Sequence, residues 1–154
     1  MPMRWIALAL ALACSAACSN REEAATPRGV ATPEIRVQVD SVQVLGREGE
    51  GENTPWLFGY VITLRNEGQT SATLVRRHWE VDEAGKGTRV ITGDGVAGEQ
   101  PRIAPGQSFT YDSFFRAYRL AEASGHYVMR LDGGQEFKVP IPPFALQPPS
   151  SAGP

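Results

Sequence analysis

The stretch Gly93–Gly106, GDGVAGEQPRIAPG, decides how this chain is read. It contains Gly93-x-Gly95-x-x-Gly98, the glycine spacing of a dinucleotide-binding turn. Such a turn needs a strand before it, a helix opened by the third glycine, and an acidic residue on the next strand. Here Gly98 is followed by Glu99, Gln100 and Pro101, then by Ile103 and a second turn at Pro105-Gly106. No helical period begins. The stretch reads as a glycine-rich connection between two β-strands, with glycine permitting a tight crossover between sheets.

The flanking sequence carries the same message. Phe58, Tyr60, Ile62 and Leu64 alternate with other residues and form an apolar face that stops at Asn66-Glu67-Gly68. Ile35, Val37 and Val39 alternate too, but Val42 and Val44 follow in the opposite phase. A bulge near Ser41 accounts for such a change. Val75, Trp79 and Val81 share one face of a further strand, and Arg76, His78 and Glu80 the other. Glu83–Gly87 and Asp132-Gly133-Gly134 have the composition of hairpin turns. Phe109 and Tyr111, then Tyr127, Met129 and Leu131, then Phe137, Val139 and Ile141 complete the inward series. One or two turns of helix are predicted at Tyr118–Ala123. Seven or eight short antiparallel strands predict an all-β fold, a β-sandwich of immunoglobulin or fibronectin type III kind, over residues 34–146.

The N-terminus reads as a targeting segment. Arg4 supplies a positive charge, and Trp5–Ala13 is an apolar run too short to span a bilayer. Ser15-Ala16-Ala17-Cys18 resembles a bacterial lipobox, with Ser15 where that pattern prefers Leu. Cys18 is the favoured lipidation site. Cys14 is the competing one, and an ordinary cleaved signal peptide the plainer reading. Residues 1–18 are therefore expected to direct export and lipid anchoring. Ser19 in the following position would permit transfer to the outer membrane, facing the periplasm. Residues 19–33 and 147–154, rich in Ala, Thr, Ser and Pro, read as a flexible linker and a tail. Both cysteines fall in the leader, so the mature domain has no thiol chemistry and no sulfur-ligated metal. A net charge of −2 leaves no basic footprint for nucleic acid.

Several blocks together resemble the ApaG domain family. They are Trp56–Asn66 (WLFGYVITLRN), Arg77-His78-Trp79, Gly93–Pro101, Ile103–Gly106, Phe109-x-Tyr111-x-Ser113, and Val139–Leu146 (VPIPPFAL). The resemblance implies a fibronectin type III-like sandwich that acts as a protein-interaction module and has no agreed catalytic residues. It also brings a label of cobalt and magnesium efflux, and a link to diadenosine-tetraphosphate metabolism. The segment Phe114–Ser124 departs from the family pattern, and so does the export signal.

Chemistry-bearing residues are sparse. His78 and His126 alternate with core positions, so both are expected to face outward, without the oriented base that a nucleophilic triad needs. No catalytic residue and no cofactor is predicted. Three binding surfaces remain. Asp94 and Glu99, with loop carbonyls and His78 for cobalt, are candidate ligands for a divalent cation such as magnesium or cobalt. The amides of Gly93, Gly95 and Gly98, with Gln100 beside them and Arg77, Arg89 and Arg102 near in sequence, are candidates for pyrophosphate or a nucleotide. Phe114 and Tyr118 are candidate anchors for a protein partner in the envelope. The alternation from Phe109 and Tyr111 turns Phe115 inward and Phe114 outward. Protein binding is the favoured function, and a small ligand at the glycine loop the alternative.

Overall fold

The computed structural model describes residues 34–51 and 53–150. Cys14, Cys18 and the 19–33 linker lie outside them. Eight strands follow one another: β1 (Ile35–Arg47), β2 (Trp56–Asn66), β3 (Ala72–Glu83), β4 (Gly87–Asp94), β5 (Arg102–Ile103), β6 (Ser108–Ala117), β7 (Ala121–Leu131) and β8 (Glu136–Leu146). One sheet has the order β1-β2-β6, and the other the order β4-β3-β7-β8, with β5 also on β3. All pairings are antiparallel. This is the predicted all-β sandwich.

The core follows from the alternation. Phe58, Tyr60, Ile62 and Leu64 of β2 meet Leu74, Trp79 and Val81 of β3, and all are buried. Ile62 and Leu64 have 0% exposure, and burying each side chain contributes about 1.5–3 kcal/mol. The phase change in β1 is a register shift between Val39 and Ser41, as predicted. Trp79 lies at the centre of an aromatic cluster with Tyr60, Phe115, Tyr127 and Phe144. The Tyr111 and Tyr127 hydroxyls share a hydrogen bond of 2.6 Å that joins the two sheets. Burial pushes both phenols well above their usual range.

Two expectations are corrected. Tyr118–Ala123 is not helical: it is a turn followed by the start of β7, where Ala121 pairs with Glu83 and Leu146. The buried Glu83 carboxylate accepts the amides of Tyr118 (2.8 Å) and Arg119 (3.0 Å). Donors that a helix would have paired internally are satisfied from a neighbouring strand instead. Nor does the glycine segment cross between sheets. β4 and β5 lie in succession along the same edge of β3, so the chain stays in one sheet until the turn at Pro105-Gly106. Gly93 and Asp94 belong to β4 itself.

Candidate functional site

The residues between β4 and β5 form a small hairpin seated on a bulge. β3 and β7 shift register between Leu74 and Arg76, which leaves the Val75 carbonyl unclaimed by the strand ladder. Gly95 N–H (2.9 Å) and Gln100 Nε2 (2.9 Å) both donate to it. Val96 and Glu99 then exchange N–H···O bonds of 2.8 and 2.9 Å around Ala97 and Gly98. Those two residues have φ of 49° and 78°, the signature of a type I′ turn. A Cβ on Gly95 would overlap the Glu99 carbonyl oxygen, so only glycine closes this loop. Arg77 completes it from outside, with Nη1 donating to the carbonyls of Asp94 (2.9 Å) and Gly95 (2.8 Å). Gly93, opposite Arg77, makes the room: a Cβ there would stand 2.7 Å from Arg77 Nη2.

This geometry bears on the two small-ligand candidates. The amides of Gly95, Val96 and Glu99 are spent inside the loop, and Arg77 is spent on its carbonyls. Of the three candidate glycine amides, that of Gly95 is thereby committed to the Val75 carbonyl. Among the described residues, no three His, Cys, Asp or Glu side chains come together as a metal-ligand set. Asp94, Glu99 and His78 are accordingly not brought into one cage.

A cleft does lie beside the loop. It has a volume of about 270 Å³ and is lined in part by Arg76, Arg77, His78, Asp94 and His126. His78 and His126 are opposite each other across β3 and β7, with ring centroids 4.7 Å apart and planes 19° from parallel. His78 Nε2 is 3.1 Å from Glu80 Oε1. Partial burial first, then the charges of Lys138 and His78, hold the His126 pKa below its ordinary value, with Glu80 acting in opposition. Strand parity turned both rings outward in the sequence reading. Their pairing depends on register between strands far apart in sequence.

The opposite pole of the sandwich has a different character. The β6–β7 turn meets the β3–β4 hairpin there. Phe114 is 45% exposed and Tyr118 41% exposed, whereas Phe115 points into the core. Each exposed ring carries a cation: Arg116 lies 5.0 Å from the Phe114 centroid and Lys86 3.4 Å from that of Tyr118. At the end of β1, Arg47 lies 4.5 Å from the Trp56 ring. Arg116 also forms a two-point ion pair with Glu48, which holds that carboxyl below the usual carboxylate range. Leu45, Val90 and Leu120 are exposed as well, and the sequence reading missed all three. The residue opposite two of the apolar side chains could have signalled one of them. Gly59 faces Phe114 across the sheet, and the Leu45 side chain lies over its bare backbone.

Comparison with known proteins completes the description. The ApaG domain profile matches residues 47–131. Protein ApaG from Xanthomonas campestris pv. campestris is 37% identical over 119 residues, which cover 76% of this chain and 94% of that protein. Protein ApaG from Stenotrophomonas maltophilia is 39% identical over 114 residues, covering 71% and 90% respectively. An X-ray structure from a structural-genomics programme superposes with a TM-score of 0.71 at 33% identity, covering 76% of this chain and 89% of its own. The profile match over more than half of the chain and the relatives at 37–39% identity show that the chain belongs to the ApaG domain family.

Proposed function

We propose that this chain is an exported, lipid-anchored ApaG-type module that binds a protein partner in the cell envelope and performs no catalysis. The observation that carries the reading is the pole at Phe114 and Tyr118. Large aromatic surface is held out in solvent there with cations over the rings, the residue types that dominate protein-binding hot spots. The leader supports export: Arg4, the apolar run to Ala13, and Ser15–Cys18 ahead of a polar linker. The ApaG relative from Xanthomonas is covered almost whole by a match that leaves about a quarter of this chain outside it.

The test is affinity capture of the tethered protein from envelopes, compared with a Phe114→Ala/Tyr118→Ala variant. A specific protein recovered by the parent and lost from the variant supports the reading. Equal recovery by both sinks the assigned surface. A mass spectrum of the mature N-terminus without an acyl chain sinks the anchor.

A second reading is favoured by one observation, the cleft lined in part by Arg76, Arg77, His78, Asp94 and His126. Its two guanidinium groups suit an anion such as pyrophosphate or a nucleotide better than magnesium or cobalt, with the anion competing against Glu136 for Arg76 and against the loop carbonyls for Arg77. Calorimetry without heat at millimolar pyrophosphate removes the anion. Amide resonances unmoved by magnesium and cobalt remove the cation.

A further inference from the structure

The charges of the domain are not shared evenly between its two poles. Where the chain enters β1, Arg36 and Arg65 both reach Glu67, and Arg102 is paired with Asp132. On the outer face of the second sheet, Arg76 and Arg130 share Glu136. At the aromatic pole Arg116 is paired with Glu48, but the other cations are not. Among the described residues, Lys86, Arg89 and Arg119 have no carboxylate within ion-pairing distance. The nearby Glu83 is committed to the Tyr118 and Arg119 amides.

These cations border a groove. β4 and β6 are the free edges of the two sheets on the same side of the sandwich. Arg89 spans the gap and donates from Nη2 to the Arg116 carbonyl at 2.8 Å. Beside that bridge is a pocket of about 180 Å³ lined by Arg89, Ile91, Phe114, Phe115 and Arg116. Lys86 and Tyr118 continue the line toward the hairpin. The groove is thus apolar at one point and bordered by two cations without carboxylate partners, Arg89 and Lys86.

We propose that the groove between β4 and β6 binds an extended acidic peptide segment, with one apolar side chain in the Ile91–Phe115 pocket and carboxylates on Arg89, Lys86 and Arg119. This deepens the protein-binding reading given above and rests on it. Charge complementarity selects an acidic partner. The pole also lies at the far end of β1 from Ile35, roughly 40 Å away for a strand of 13 residues. A membrane tether arriving at Ile35 would leave the groove on the distal side.

The probe is a short fluorescein-labelled peptide, Glu-Asp-Leu-Glu-Phe-Asp-Glu, titrated with the full chain and followed by anisotropy. Binding with a Kd of about 100 μM or tighter is expected, weakening as salt is raised. Lys86→Glu/Arg89→Glu should weaken it about tenfold or more, with far-UV circular dichroism unchanged. Arg130→Glu, outside the groove, should leave it unchanged. No binding near 1 mM protein overturns the proposal, and so does equal loss in the Arg130 variant. Equal binding of the Lys-for-acid peptide does the same. Cosedimentation with phosphatidylglycerol vesicles in place of peptide binding overturns it in favour of a membrane surface. If envelope capture through Phe114 and Tyr118 succeeds and survives Lys86→Glu/Arg89→Glu, protein binding stands and the acidic ligand falls.

Discussion

The glycine hairpin and the aromatic pole, the two surfaces that the sequence offers for binding, differ in how much of themselves they leave free. Gly93–Gln100 looks like a ligand loop, yet it spends its Gly95, Val96 and Glu99 amides, the Gln100 side chain and Arg77 on itself and on the Val75 bulge. Phe114–Leu120 leaves aromatic and apolar surface in solvent, beside Arg116 paired with Glu48 and Lys86 without a carboxylate partner among the described residues. A glycine pattern reports what the backbone must do, and availability to a ligand depends on where the donors already point.

The sharpest way to break this contrast is Gly95→Ala. With φ at +57° and the Glu99 carbonyl in the way, the variant should lose about 3 kcal/mol. The urea midpoint measures it. A neutral result would mean that the hairpin is slack and free to receive a ligand. Glu83→Ala tests the other pole, since it strands the amides of Tyr118 and Arg119. A loss of about 2 kcal/mol is expected, with faster hydrogen exchange at those two amides, and Glu83→Gln should recover part of it. Ala97→Gly should stabilise the domain by about 0.5–1 kcal/mol in thermal melts, because alanine at φ 49° is strained and glycine is not.

The smallest effect concerns His126. Its folded pKa lies below the unfolded value, so the unfolded chain takes up the proton first as pH falls. Stability held above the unfolded value near 6.5 should therefore decline as pH drops through the lower folded one. Carbon-bound proton shifts should place the His126 midpoint below 6.5, and Lys138→Ala or His78→Ala should raise it. A midpoint at or above 6.5 would detach the cleft from the electrostatics described here.

Much of the fold was legible because period-two burial is a local signal. The β2 face, the Ser41 bulge and the two glycine turns were all read from neighbouring residues. What escaped was non-local. Tyr118–Ala123 carries helix-compatible residues, and only a carboxylate from β3 makes the turn cheaper than a helix. The stacking of His78 on His126 needed the β3–β7 register. The exposure of Leu45 depends on the β1–β2 register, which places it in the bulge between Val44 and Gly46 with its side chain over Gly59. The candidate site was legible only in part, through the inside–outside parity of Phe114 and Phe115. The charge of the groove arises because Lys86 and Arg89, among the described residues, lack the carboxylate partners that Arg36, Arg65 and Arg102 have.

The interrupted border on β3 has a colloidal consequence. A sheet border cut in two by a hairpin offers another molecule no continuous ladder along that side. Removing the interruption, for instance by deleting Val96–Glu99, would hand the domain a long unbroken margin, and with it a route to fibrils.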